Sequence, residues 1–128
     1  MGQAVSVHDV WKPLDPPRAL TAWEKKVIGL LAPNAPARAI EAVLVTDRCG
    51  CGCSSVGFSD VAHFPAGEAD ASDDDGVPIS VMLFADREQE ILATLDVLRA
   101  DGQPIHDLPP VERFVVSNTS SWTGGDLL

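Results

Sequence analysis

Prolines restrict where this chain can form a helix. Near the N-terminus they leave one segment, between Pro17 and Pro33, in which a helix is possible. Pro13, Pro16 and Pro17 crowd the stretch WKPLDPPRA, and prolines at this density are incompatible with a helix interior or a central strand. Residues 1–19 are therefore predicted to form an extended, proline-rich lead-in. Pro33 sets the other limit, because it ends a helix that reaches it.

The segment between these limits carries the signals of an amphipathic helix over about residues 21–32. Thr21 followed by Glu24 matches a capping box, in which the threonine hydroxyl accepts the Glu24 N–H and the Glu24 carboxylate accepts the Thr21 N–H. The apolar residues that follow repeat at helical spacing and form one face. A face of this kind is typical of core packing rather than of a ligand pocket. Its members are Trp23, Val27, Leu30 and Leu31.

Strand signals dominate the rest of the chain. Residues 40–47, IEAVLVTD, are rich in β-branched side chains, residues 55–61 alternate, and residues 79–86, ISVMLFAD, are apolar on both faces as in a central strand. The acidic stretch 65–78 is bounded by proline and glycine and is predicted to be a mobile loop. Residues 88–100 fit a helix and a strand equally well, because both spacings pick out apolar residues.

These elements predict an α+β fold. The N-terminal helix is expected to pack on a mainly antiparallel sheet of four or five strands, joined by short connections as a meander. One α+β domain is predicted over residues 20–116, followed by a polar, glycine-rich flexible tail over 117–128.

Composition narrows the function classes. Nineteen acidic residues against nine basic ones give a formal net charge of −10, and such a surface repels nucleic acid and anionic membrane. A basic protein partner fits this charge, although acidity also simply keeps a protein in solution. No apolar run is long enough to span a bilayer, and the N-terminus lacks a secretory signal, so a cytoplasmic location is expected.

The most unusual motif is Cys49-Gly50-Cys51-Gly52-Cys53. Side chains two residues apart on an extended strand are separated by about 6.5 to 7 Å, too far for three sulfurs to share one zinc ion. The intervening glycines tolerate the positive φ angles that a curled segment needs. A curled run could therefore hold zinc through Cys49, Cys51 and Cys53, with His63 as the nearest fourth ligand.

Two other interpretations of the run remain open. Cysteine often acts as a small buried hydrophobe, and glycine in a strand often marks a bulge, so the run could be packing alone. A redox role is the third interpretation, with Arg48 lowering the pKa of Cys49. In a reducing cytoplasm a structural disulfide is not expected.

No catalytic constellation is recognisable. An EF-hand alignment on Gly76 puts Met82 where a bidentate glutamate is required, so Asp73, Asp74 and Asp75 are interpreted as a solvated charge run. The sequence thus favours a non-enzymatic protein that binds a partner or serves as an accessory subunit, without a cofactor. The alternative is a small zinc-binding protein built on the cysteine run.

Three segments carry a resemblance to known proteins: LTAWEKKVIGLL, RCGCGCSSVGF, and VMLFAD followed by EILATLDVLRADGQP. Over roughly residues 20–104 the chain resembles a group of small, uncharacterised bacterial proteins of the domain-of-unknown-function type. The resemblance implies a strand for residues 90–98 and no established activity. Here DREQE stands where such proteins usually have a glycine-containing turn.

Overall fold

The computed structural model describes residues 11–50 and 54–124, and most of them belong to a single antiparallel sheet. Seven strands lie in the order β1-β2-β3-β6-β5-β4-β7, and every neighbouring pair is antiparallel. The strands are β1 Trp11–Ala19, β2 Leu44–Cys49, β3 Val56–Gly57, β4 Phe64–Ser72, β5 Pro78–Ala85, β6 Leu92–Arg99 and β7 Val115–Asn118. The helices are α1 Ala22–Leu31, α2 Ala37–Glu41 and a 3₁₀ turn, Val111–Arg113.

The expected fold class is therefore wrong, because the molecule is mostly β rather than a helix on a sheet of four or five strands. Two strands account for the difference. β1 occupies Trp11–Ala19, part of the segment predicted to be a lead-in. β4 occupies Phe64–Ser72, where a mobile loop was predicted.

β1 accommodates its prolines by lying at the edge of the sheet. Within the described ranges it pairs with β2 alone, and the pairing is interrupted between Pro13 and Arg18, where Pro16 and Pro17 lie. An edge position tolerates proline because the missing N–H would not have joined a ladder on the outer side. The domain limits drawn from the sequence stay predictions, and residues 1–10 and 125–128 lie outside the described residues.

The helix predicted over 21–32 forms as α1, Ala22–Leu31, with Thr21 as its N-cap. The Thr21 hydroxyl accepts the Glu24 N–H at 3.1 Å, and the Glu24 carboxylate accepts the Thr21 N–H at 2.8 Å. Its fully buried residues, Val27, Ile28 and Leu31, face the sheet-covered core.

The centre of the sheet supplies the other half of the core. Val81 lies opposite Val97 and Leu83 opposite Leu95 across the β5–β6 pair, and all four are fully buried. Residues 92–99 thus form a strand, which resolves the ambiguity of the 88–100 segment. Trp122, after the last strand, is also fully buried and donates its indole N–H to the Glu90 carbonyl at 3.2 Å.

Within residues 11–50 and 54–124, no helix has both the length and the apolarity to cross a bilayer.

Candidate functional site

The structure places Cys49 but not the rest of the predicted cysteine ligands. Cys49 is the last residue of β2 and is 1% exposed, and its N–H donates to the Ser55 carbonyl at 3.2 Å. Cys51 and Cys53 lie outside the described residues. His63 is exposed just before β4, with its ring centroid 6.3 Å from that of Phe84. The four-residue zinc site therefore stays a prediction.

Among the described residues, a different group brings potential ligand atoms together. Asp73, Asp74, Asp75 and His106 each place one such atom within 4.8 Å of the others. The three aspartates lie in the turn between β4 and β5, and His106 lies in the connection after β6. The sequence interpretation of a solvated charge run is wrong for Asp73, which is 5% exposed.

A buried arginine explains this arrangement. Arg99, the last residue of β6, is 8% exposed and donates to Asp73 at 2.7 Å, to Asp75 at 2.6 and 3.1 Å, and to Asp101 at 2.9 and 3.1 Å. We call these four residues the Arg99 cluster. The cluster ties the β4–β5 turn to the end of β6. Asp73 and Asp75 belong to that turn, whereas Arg99 ends β6 and Asp101 follows it.

Asp73 is the most fully bonded member of the cluster. One carboxylate oxygen accepts hydrogen bonds from the Arg99 guanidinium and from the His106 N–H. The other accepts hydrogen bonds from the N–H groups of Asp74 and Asp107, at 2.8 and 3.1 Å. Burial alone would raise the pKa of Asp73, but these hydrogen bonds outweigh it and hold the pKa well below its usual value. Asp73 is therefore ionised at neutral pH.

The other members of the cluster are also held in their charged forms. Hydrogen bonds from Arg99 lower the pKa values of Asp75 and Asp101, and the hydrogen bonds that Arg99 gives to Asp101 and Asp75 raise its own pKa. Because a guanidinium already occupies the centre and both oxygens of Asp73 are engaged, the cluster suits the closure of a turn better than the binding of a divalent cation.

His106 extends the cluster toward solvent. Its Nδ1 lies 2.8 Å from a carboxylate oxygen of Asp74, and the two side chains are 50% and 59% exposed. The hydrogen bond to Asp74 raises the pKa of His106, since it favours the protonated imidazole. This pair could not be recognised from the sequence, because its members are 32 residues apart.

Ser55 has a structural role. Its hydroxyl accepts the Val97 N–H at 2.8 Å, so the side chain continues the β3–β6 pairing where the strand itself has ended. This hydroxyl is fully buried, so its hydrogen bonding serves the pairing of the strands.

An open groove lies along the edge of the sheet formed by β4 and β7. Its volume is about 680 Å³, and one wall is acidic β4 with the residues that follow it, while the other is β7 with Arg113. Val115 on β7 is 72% exposed and contributes apolar surface to this edge. We call this feature the β7 groove; it is lined by Asp70, Ala71, Ser72, Asp73, Arg113, Val115 and Ser117.

Comparison with known proteins identifies the family of the chain but no individual relative. Residues 17–109 match the family described as Domain of unknown function (DUF6984). The chain belongs to this family. No curated protein and no solved structure matches the chain.

The DUF6984 match includes some of the features described above and excludes others. It spans α1, the cysteine run and the Arg99 cluster, and it ends before β7, Val115–Asn118. The domain therefore supplies the β4 wall of the β7 groove but not β7 itself. The predicted resemblance to domain-of-unknown-function proteins is confirmed, while bacterial origin and a link between the family and the cysteine run stay predictions.

Proposed function

We propose that this DUF6984 protein is a non-enzymatic accessory protein that accepts an extended segment of a protein partner along β7. One observation carries the proposal: β7 is an edge strand of the described sheet, and it contains neither proline nor a charged side chain. An unprotected edge offers backbone N–H and C=O groups to a further strand. A bacterial, cytoplasmic setting, as expected from the sequence, is part of this proposal.

The two edges of the sheet differ in this respect. β1 carries Pro13, Pro16 and Pro17, which remove backbone donors, and it also contains the charged residues Lys12 and Arg18. β7, at the opposite edge, reads Val-Val-Ser-Asn and has neither proline nor a charged residue. Strand addition is therefore favoured at β7 and opposed at β1.

The charge around β7 indicates what kind of segment fits. β4 presents Asp70 opposite Val115 and Glu68 opposite Asn118, within a chain of net charge −10. Because β7 lies between β4 and the incoming segment, basic side chains on that segment would lie about 10 Å from these carboxylates, within the range of charge attraction at low salt. An apolar residue of the segment would cover Val115. Opposite charges of this kind speed association and make it sensitive to salt.

Two matched variants test the proposal. Val115→Lys adds a charge to the exposed edge. Leu44→Lys adds the same charge on β2, at the other large apolar residue that is exposed in the described part of the chain, at 52%. Cross-linked partners should be recovered with the natural chain and with Leu44→Lys, and lost with Val115→Lys or at high salt. Hydrogen exchange of the complex should show new protection of the amides of residues 115–118.

Equal recovery of the partner with Val115→Lys would contradict the proposal. So would protection on binding that falls elsewhere and leaves residues 115–118 unchanged. Both variants change only exposed side chains, so circular dichroism should report the same fold for all three proteins.

The zinc-binding alternative has one supporting observation. β2 ends at Cys49, and β3, antiparallel to it, begins at Val56, so the chain reverses direction between them. Three sulfurs are too far apart for one zinc ion only when the run stays extended throughout. Metal analysis of protein purified without chelator should then give one zinc per chain, and three rapidly titrating thiols without metal would exclude this function.

A further inference from the structure

A second cleft, remote from β7, opens between the start of α1 and the strands β1, β2 and β3. Its volume is about 260 Å³, slightly below the range of roughly 300 to 1,000 Å³ for ligand pockets, so only a small ligand fits. Trp23, Val56 and Leu108 supply apolar surface, and Arg18, Arg48 and Ser54 supply polar groups. We call it the Arg48 cleft. β1 and β7 lie at opposite ends of the strand order, so the two features are separate.

One of the two arginines in the cleft is already neutralised. Arg18 donates to both carboxylate oxygens of Glu24, at 3.0 and 3.1 Å, and Glu24 is 6% exposed. A bidentate pair of this kind fixes both side chains and leaves that wall without net charge. Glu24 also accepts the Thr21 N–H, so its position is set by the cap of α1.

Arg48 is not neutralised. In the described ranges it has no ion pair, and across the β1–β2 pairing it lies directly opposite Lys12. Like charges directly opposite on a sheet destabilise it. Asp47, the adjacent acid, points to the other face of β2, because side chains alternate along a strand.

This placement is unexpected for so acidic a chain. Only nine residues are basic, against nineteen acidic ones, yet Arg48, which lines the cleft, lies directly opposite Lys12 on the neighbouring strand. An anion bound there would relieve their repulsion, and a guanidinium can hold a carboxylate or a phosphate through two parallel hydrogen bonds. The apolar surface of Trp23, Val56 and Leu108 would cover a hydrocarbon portion.

The geometry points to a binding site for a small organic anion in the Arg48 cleft. The oxyanion group lies between Arg48 and Lys12, with the Ser54 hydroxyl available as a further donor. The apolar part of the ligand lies against Trp23 and Leu108. Apart from Lys12, these residues fall within the span matched by the DUF6984 family.

Four probes separate the contributions to binding: benzoate, phenyl phosphate, inorganic phosphate and neutral benzamide, each at constant ionic strength. The readout is the NMR signal of the Trp23 indole N–H, which donates to the Pro109 carbonyl at 2.9 Å and so reports on the cleft wall. The buried Trp122 indole serves as an internal reference. Benzoate or phenyl phosphate should shift the Trp23 signal with a Kd of about 1 mM or tighter, and whichever binds more tightly identifies the group as carboxylate or phosphate.

Variants locate the site. Arg48→Gln should weaken binding at least about tenfold, because a charge-assisted hydrogen bond is lost, and Lys12→Gln should weaken it less. Arg38→Gln is the matched control: Arg38 is an exposed arginine on α2, outside the cleft, and binding should stay within about twofold.

Three results would overturn the inference: no shift of Trp23 by either aromatic anion, equal binding by Arg48→Gln and Arg38→Gln, or benzamide binding as tightly as benzoate. Tighter binding of inorganic phosphate than of phenyl phosphate would also count against it, since the apolar wall would then contribute nothing. None of these results depends on the partner proposed for β7.

Discussion

At the scale of single residues, Asp73 is the side chain on which the β4–β5 turn depends most. Its two oxygens accept four hydrogen bonds, from Arg99 and from three backbone N–H groups. Asp73→Asn would present an amide NH₂ to donors and leave Arg99 without its most buried carboxylate. Removal of one partner of a buried pair is strongly destabilising, so we expect Tm to fall by about 10 °C or more.

Asp60→Asn is the control for this change, because Asp60 is exposed and has no hydrogen bond or ion pair within the described part of the chain. Its Tm should stay within about 2 °C of the natural protein. Differential scanning calorimetry measures both variants. A Tm for Asp73→Asn that matches Asp60→Asn would mean that the Arg99 cluster does not hold the turn.

This cluster could not be predicted from the sequence, for a reason that lies in single residues. Three consecutive aspartates indicate solvation unless a buried cation lies opposite, and that cation, Arg99, is 26 residues away from Asp73. Ile79 pairs with Arg99 across β5 and β6, on the face that holds Val81 and Val97. The arginine at the core-facing end of this apolar strand was the one feature of the sequence that could have indicated the cluster. A buried arginine requires acidic partners.

At the scale of elements, α1 is the part that local sequence determines best. Thr21→Ala would remove the hydroxyl that accepts the Glu24 N–H, and the loss of such a cap costs about 1 kcal/mol. Thr21→Ser keeps the acceptor and should restore most of the free energy of unfolding. Urea denaturation of the natural chain and both variants measures this, and an equal loss for alanine and serine would show that the hydroxyl is not the cause.

β4 shows why other elements could not be predicted in the same way. Its core-facing residues are small, because α1 approaches closely: a Cβ on Gly67 would lie 3.2 Å from the Leu31 Cβ. Ala66, Gly67 and Ala69 therefore replace the large apolar residues by which a strand is recognised, and the outward positions are acidic. Since small residues and acids also characterise loops, only the packing of α1 distinguishes the two.

At the scale of the whole molecule, pairing between distant segments decides the topology. β4, β5 and β6 form the predicted kind of meander, but β3 joins it by pairing with β6, and β7 returns to pair with β4. Short hairpins follow from local turn chemistry, whereas these long-range pairs depend on which edges stay open after the meander has formed. The β7 groove and the Arg48 cleft both arise from such pairs, and so neither could be located from the sequence.

The pH dependence of unfolding is a property of the whole molecule that follows from its titrating groups. The pKa values of Asp73, Asp75 and Asp101 are lowered in the folded state, so their stabilisation is complete above about pH 4 and is lost as pH falls through the lower folded values. The pKa of His106 is raised, so its stabilisation is complete below about pH 6.5 and is lost as pH rises through the folded value. Tm should therefore be highest between about pH 4.5 and 6.5.

The upper side of this maximum needs a control, because a chain of net charge −10 also repels itself less as pH falls. His106→Gln removes the histidine contribution and leaves that repulsion unchanged, whereas His63→Gln removes an exposed histidine outside the cluster. Between pH 6 and 8.5 the natural chain should lose about 2 °C more in Tm than His106→Gln does, and His63→Gln should follow the natural chain. If all three curves run parallel, the His106–Asp74 pair does not contribute, and general charge repulsion alone sets the upper limb.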